Sequence, residues 1–316
     1  MTRQYLYIID PLSTLNPKTD TTLALVEEAC RRGVKNYACE LGDIFLDQGE
    51  LSFKAAPIEL DADYTKPPVY LTPKKAMKAE EFRVIFMRKD PPIDEHFWAA
   101  LLLLRCYNPK KTLFINNPNS LLLANEKLFG LSIAPHYFPQ TLVSSQKDIL
   151  RDFIYKYKKV ALKPLFGAGG SGVLVFDSQD KNINASLELL SANFSQPIIA
   201  QAYIPKAREG DKRILLLGGD PLGAVLRVPS SDDHRANFHA GGTPREILID
   251  NRDQEIISCL KPHLKSLGLE FVGIDIIGGF LTEINVTSPT CLLEMEQLSG
   301  CQLRKVALDY IEKLII

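Results

Sequence analysis

The succession of β-type and helical runs constrains this chain more than any other feature, and it changes character near Asn119. Before that point, apolar runs at residues 5–9 and in YACEL, VIFM and TLFIN are separated by two helical patterns, TTLALVEEACRRG and DEHFWAALLLLRC. Asp20 is placed to N-cap the first helix and Gly33 to end it. IFLDQGELSF reads as two short strands around Gln48-Gly49, and the proline-marked residues 55–73 as a connection. Alternation of this kind predicts an α/β layer with a mainly parallel sheet. Past Asn119, a helical SLLLANEKLFGL, a break at 133–139 and a helix around 146–155 lead into a run of strands. These are VALKPL, GVLVF, IIAQAYI, RILLLGG, GAVLRV, FVGIDIIG and FLTEINV, many joined by short turns, which predicts antiparallel pairing in an α+β unit.

A chain of 316 residues, 46% of them hydrophobic, can bury a substantial core in two or three structural units. Its 37 Lys plus Arg nearly cancel its 38 Asp plus Glu, so no overall positive field exists to hold nucleic acid or an anionic membrane. FWAALLLL falls short of the roughly 20 residues that span a bilayer and reads as a buried helix. The opening MTRQYLYIID is too short for a signal-peptide core. Six cysteines without a C-x-x-C pair indicate neither a zinc site nor a disulfide framework. They read as small buried hydrophobes in a reducing cytoplasm.

Three constellations can carry chemistry. GAGGSG, residues 167–172, places four glycines between two strands, where backbone N–H groups can approach an anion closely. It matches neither common nucleotide motif, so a plain hairpin turn and a phosphate-gripping loop both remain open. Lys163 interrupts an apolar strand beside it, either as a solvated edge-strand lysine or as the partner of a bound anion. In FVGIDIIGGFLTEINV, Asp275, Glu283 and Asn285 form either a polar stripe or the oxygen set of a Mg²⁺ site; the last two, being two apart, share one strand face. Arg88, Lys89, Lys212, Arg213 and Arg227 lie among β-runs, where an arginine either pairs with a buried acid or clamps a carboxylate or phosphoryl group. PSSDDHRANFHAGGT, following Arg227, has the length and composition of a mobile lid or of an ordinary exposed loop.

With LKPLFGAGGSGV, AQAYIP, GDKRILLLGG, RANFHAGG and FVGIDIIGGFLTEINVTSPT quoted together, the chain resembles the ATP-grasp ligases as they occur in the bacterial-type glutathione synthetases. IIDPLSTLNPKTD, MRKDPP and NEKLF extend the likeness to the N-terminal part. The resemblance implies an N-terminal parallel-sheet (pre-ATP-grasp) domain at 1–122 and a two-part ATP-grasp domain with antiparallel sheets. Its central subdomain would occupy 123–203 and its C-terminal subdomain 204–316. It implies ATP-dependent ligation of γ-glutamylcysteine and glycine through an acylphosphate, with Mg²⁺ or Mn²⁺, in a cytoplasmic homo-oligomer, a tetramer. An acylphosphate hydrolyses readily, so such an enzyme needs a lid and charge neutralisation more than a covalent nucleophile.

The resemblance also implies roles. Lys127 and Lys163 would bind the ATP phosphates under the loop of Gly167, Gly169, Gly170, Ser171 and Gly172. Gln201 would border the adenine, with backbone groups of Tyr203 and Ile204 reading it, and Asp211 would take the ribose. Asp275, Glu283 and Asn285 would hold the metal. Arg213 would stabilise the transferred group, and Arg227 would act there and on the peptide. Arg88, Lys89, Asn237, Gly241 and Gly242 would contact substrate. Two positions depart from the family pattern: Gly-Gly-Arg at the lid end is here Gly241-Gly242-Thr243-Pro244-Arg245, and Ala202 replaces an Asn. Two other functions share these features, a ligase of the same mechanism for another peptide or acceptor and a non-catalytic ATP sensor.

Overall fold

The computed structural model describes residues 3–107, 112–167, 170–230, 237–238 and 241–315. The N-terminal part comprises β1 (Gln4–Ile8), α1 (Thr21–Arg31), β2 (Lys35–Cys39), β3 (Ile44–Asp47), β4 (Glu50–Glu59), β5 (Val69–Tyr70), β6 (Lys75–Lys78), β7 (Val84–Met87), α2 (Glu95–Arg105) and β8 (Leu113–Ile115). Its sheet runs β3-β4-β2-β1-β7-β8, with β5 and β6 against β4. β2, β1, β7 and β8 are parallel, and β4 is antiparallel to its neighbours. Residues of β1 alternate between two cores, Tyr5 and Tyr7 on one face and Leu6 and Ile8 on the other. Burial on both faces is why its sequence reads as a continuous apolar run. Asp20 caps α1 by accepting from Leu23 N at 2.9 Å, and Gly33 turns the chain away at φ +71°.

The middle of the chain supplies α3 (Pro118–Leu123), α4 (Phe129–Ile133), β9 (Thr141–Ser144), α5 (Lys147–Tyr157), β10 (Lys159–Pro164), β11 (Leu174–Asp177), α6 (Ile183–Leu190) and β12 (Ile198–Ala202). Its antiparallel sheet runs β11-β10-β12-β9 over a separate core. The remainder contains β13 (Asp211–Leu217), β14 (Asp220–Val228), β15 (Thr243–Arg245), α7 (Asn251–Ser266), β16 (Phe271–Ile277), β17 (Phe280–Asn285), α8 (Leu292–Ser299) and α9 (Leu303–Leu314). Here the antiparallel order is β15-β14-β13-β16-β17. Asn116 ties this sheet to the N-terminal one. Its Nδ2 donates to the carbonyls of Phe271 (2.8 Å) and Val286 (2.7 Å), while its Oδ1 accepts from Phe271 N at 2.9 Å.

Several local expectations are corrected. Residues 55–73 include the end of β4 and all of β5, because the strand continues past Pro57 beside β2. SLLLANEKLFGL is not one helix. Asn125 Oδ1 accepts from the backbone N–H groups of Lys127 and Leu128, both at 3.1 Å, and this side-chain bond replaces the helical ladder with a turn. Lys127 is therefore in a turn between α3 and α4. α2 buries one face only, Phe97, Ala100, Leu101 and Leu104, and leaves Leu102 50% exposed. Cys39 and Cys291 are buried as expected, whereas Cys30, Cys106 and Cys301 are exposed. Helices α6 to α9 and strands β6, β9 and β15 were not anticipated. Among the described residues no helix is long and apolar enough to cross a membrane.

Candidate active site

A cavity of about 450 Å³ is lined by residues of the two antiparallel sheets. Strand alternation decides which side chains reach it. On β10, Val160 and Leu162 enter the core, so Ala161 and Lys163 line the cavity. β10 is a central strand, which removes the solvated edge-strand reading of Lys163. On β12, Ile198 and Ala200 are in the same core and Gln201 lines the cavity, its Nε2 donating to Thr141 Oγ1 at 3.1 Å. Tyr203 and Ile204 continue that wall.

GAGGSG connects an antiparallel hairpin, since Leu162 of β10 faces Leu174 of β11. It is also a wall of the cavity through Gly167, Gly170 and Ser171, so the two readings of this loop are compatible. Gly172 has φ +72° and abuts Pro164, where a Cβ would come within 3.0 Å. Gly169 lies outside the described residues. Lys127 Nζ donates to Gly167 O, which joins the turn after α3 to this loop. Burial pushes both the Lys127 and Lys163 ammonium groups down, with the charge of Glu283 opposing it. Two lysines facing one cavity in this way are electrostatically prepared for a polyanion.

The opposite wall carries a buried ionic network. Arg213 Nη2 donates to Asp275 Oδ2 at 2.9 Å and its Nε to Asp275 Oδ1; Arg227 Nη2 lies 3.0 Å from Asp275 Oδ2 and also donates to Asp211 Oδ2. Both arginines are thus paired with buried acids. Burial alone would raise the Asp275 carboxyl, but the two guanidiniums outweigh it and hold it below the usual carboxylate range. Asp211 is shifted the other way, chiefly by burial, and its Oδ1 has no hydrogen-bond partner among the described residues. Lys212, one residue from each, turns to the opposite face, where its Nζ binds Leu248 O (3.3 Å), Asp250 Oδ2 (3.1 Å) and Asp253 Oδ2.

Asp275 and Glu283 are cross-strand partners on β16 and β17, and Asn285 follows on the same face with its Nδ2 3.3 Å from Asp275 Oδ2. All three line the cavity. Burial, then the charge of Asp275, pushes the Glu283 carboxyl up to about 7. Among the described residues no group of three or more His, Cys, Asp or Glu forms a metal cluster. Two carboxylates and an amide nevertheless fit Mg²⁺, which completes its shell with phosphate and water oxygens. The crowding at Glu283 is of the kind a cation relieves.

Arg88 and Lys89 do not line this cavity. They follow β7 beside the end of β1, where the strand order reverses, since β2 and β7 flank β1 on opposite sides. Such switch points are where open α/β sheets bind ligands. Arg88 is buried; its Nε donates to Thr22 Oγ1 and its Nη2 to Pro289 O, each at 3.0 Å, while Nη1 has no partner among the described residues. Lys89 Nζ is 2.9 Å from Asp10 Oδ1. Pro289 links the two places. A Cβ built on Gly273 would lie 3.1 Å from Pro289 Cβ and 3.2 Å from Arg213 Cδ, so the glycine lets both approach β16.

Of the lid, residues 231–236 and 239–240 lie outside the described part. Asn237 lines the cavity, and its carbonyl accepts from Gly242 N at 3.1 Å. Gly241 and Gly242 do not line it. Arg245 is exposed on β15 opposite Leu226. Asp10, Glu126 and the 287–291 segment are contacts that sequence reasoning missed. The one available signal was the carboxylate directly beside Lys127 in NEKLF.

Residues 4–121 match the family model of the prokaryotic glutathione synthetase N-terminal domain, and residues 126–300 that of the prokaryotic glutathione synthetase ATP-grasp domain. The chain is similar to the glutathione synthetase of Synechocystis sp., 39% identical with 97% of this chain and 98% of the relative covered. It is 38% identical to that of Synechococcus elongatus (98% of each chain) and 37% identical to that of Pseudomonas aeruginosa (96% of each). Among solved structures it resembles the D-cycloserine synthetase DcsG, with a TM-score of 0.70, 15% identity and coverage of 99% of this chain and 100% of that one. The ATP-grasp ligase PsnB complexed with minimal precursor gives a TM-score of 0.64 at 15% identity, covering 99% of both. At such identity these two structures speak for the fold alone.

Proposed function

Since the chain belongs to the prokaryotic glutathione synthetase family and is an ATP-dependent ligase, we propose that it joins γ-glutamylcysteine to glycine through an acylphosphate, releasing ADP and phosphate. One observation carries this reading at the level of chemistry. A single cavity sets Lys127 and Lys163 on one side against Asp275, Glu283, Asn285, Arg213 and Arg227 on the other. That is the arrangement phosphoryl transfer to a carboxylate requires, anion binding on both flanks of the reacting group and no side-chain nucleophile.

In this reading Lys127, Lys163 and the glycine loop bind the triphosphate, while Gln201, Tyr203 and Ile204 border the adenine. The Oδ1 of Asp211, which has no hydrogen-bond partner among the described residues, is an acceptor for a ribose hydroxyl. Asp275, Glu283 and Asn285 hold Mg²⁺ or Mn²⁺, which when bound neutralises charge on the phosphates. Arg213 and Arg227 offer guanidinium hydrogens to the transferred group and to the peptide carboxylate. The Nη1 of Arg88, without a hydrogen-bond partner among the described residues, suits the far carboxylate of the dipeptide, with Lys89, Asn237, Gly241 and Gly242 as further substrate contacts. The three-part division at 122 and 203, a cytoplasmic setting and a tetramer belong to the same reading.

Incubation with ATP, Mg²⁺, γ-glutamylcysteine and glycine is expected to release phosphate only when both acceptor and donor are present, with glutathione detected by mass. No ADP above background would overturn the reading. Higher turnover with another amino acid than glycine would favour the same mechanism on a different acceptor, an outcome to which the displaced, exposed Arg245 gives a specific motive.

Metal binding should also depend on pH. Because the Glu283 carboxyl is raised to about 7, a proton competes with the cation below that value. The Mg²⁺-dependent gain in ATP affinity is expected to rise only about twofold above pH 7 and to fall about fivefold between pH 7 and 6. Calorimetric titrations with and without Mg²⁺ across this range check it; a gain independent of pH would remove Glu283 from the metal site.

A further inference from the structure

The turn between α3 and α4 holds one more residue whose contacts are organised around the candidate metal strand. Among the described residues β17 is the edge strand of its sheet, so its outward N–H groups lack a strand partner there. Glu126 supplies one from both its main chain and its side chain. Its carbonyl accepts from Ile284 N at 3.0 Å. Its Oε1 accepts three hydrogen bonds, from Val286 N (2.9 Å), Thr287 N (3.0 Å) and Thr287 Oγ1 (2.8 Å). The side chain is buried, at 8% exposure. The two grips fall on either side of Asn285, and Glu283 lies one residue before the first.

The adjoining residue points to the other half of the site. Lys127 Nζ donates to Gly167 O of the glycine loop, while the turn itself is held independently by Asn125 Oδ1. Glu126 is therefore the place where the phosphate-facing lysine and the cation-facing strand are joined, within one residue of each other in sequence. An acceptor oxygen that takes three buried donors is well served by a formal negative charge, since charge-assisted bonds are the stronger class.

Resting on the metal reading above, we infer that Glu126 is a positioning residue: it sets Glu283 and Asn285 against Lys127 so that metal and phosphates are bound as one unit. Loss of the side chain would free the end of β17 while leaving Lys127 in its Asn125-held turn. The metal-dependent part of nucleotide binding would then suffer, and the metal-free part would not.

The test is calorimetric titration of the full chain with ATP, with and without Mg²⁺, alongside thermal unfolding. Glu126→Ala is expected to reduce the Mg²⁺-dependent gain in affinity at least about tenfold, with metal-free ATP affinity within about twofold of the wild type. Glu126→Gln, which keeps an acceptor oxygen at the same reach but not its charge, should recover about half of the loss. Equal loss of metal-free and metal-dependent binding would mark Glu126 as a general brace and overturn the inference, as would an unchanged gain in Glu126→Ala or no recovery in Glu126→Gln. If Glu126→Ala does not fold, Thr287→Val deletes a single donor to the same oxygen and is expected to lose the gain about two- to threefold; no loss there overturns the inference as well. A wild type with no Mg²⁺-dependent gain would overturn the metal reading itself, which keeps the two failures distinct.

Discussion

Glu283→Gln is expected to lower ATP turnover by at least about a thousandfold while the protein stays folded and, above pH 7, becomes more stable than the wild type. The loss follows from removing one of two carboxylates in the candidate metal set. The gain follows from burial and the charge of Asp275, which together raise the Glu283 carboxyl to about 7. With a folded value above the ordinary one, the folded protein holds more protons than the unfolded chain between roughly pH 4 and 7. Stability therefore falls as pH rises through that window, and the penalty is complete above it. Glutamine abolishes the penalty, worth up to about 3 kcal/mol at pH 8 and nothing near pH 4. Urea unfolding at several pH values without metal measures it. An active variant, or one less stable than the wild type at pH 8, would sink the assignment.

Asp275→Asn should do the opposite to stability. Its carboxylate is the shared partner of Arg213 and Arg227; without it Arg227 keeps only Asp211, and Arg213 keeps no carboxylate partner among the described residues. Breaking a buried ion network by removing one partner costs about 3–5 kcal/mol. The sign with pH also reverses. Because the two arginines hold the Asp275 carboxyl below its ordinary value, its contribution is present above about pH 4 and is lost as pH falls further. The gap between variant and wild type should be full at pH 7 and narrow in acid. Turnover is expected to vanish with it. Equal unfolding midpoints at pH 7 would show that the network does not stabilise the fold. Neighbouring carboxylates on paired strands would thus report opposite surroundings, one repelled and one held.

Much of the fold was legible because its signals are local. The apolar runs of β1 and β7, the Asp20 cap and the glycines between β10 and β11 each express a short-range preference of period, cap or turn. The same locality explains the failures. The NEKLF turn reads as helix by composition, and only the Asn125 side chain, bonded to two backbone groups, breaks it. Helix α7 went unnoticed because its amphipathic pattern carries Pro262 in its interior.

The candidate site divides in the same way. Period-2 alternation along β17 was enough to set Glu283 and Asn285 on one face, and the cost of an ion in an apolar strand was enough to single out Lys163 and Asp275. What those charges face is a matter of long-range pairing. Arg213 and Asp275 are 62 residues apart, and Glu126 and Val286 are 160 apart. Most of the strands, the faces they bury and the glycine-rich turn between β10 and β11 were determined by the sequence itself, through interactions that reach a few residues. Only the tertiary structure decided that Asp275 is held by two arginines while Glu283 is not, and that Glu126, next to Lys127, fastens the end of β17, because burial and charge act through distance in space.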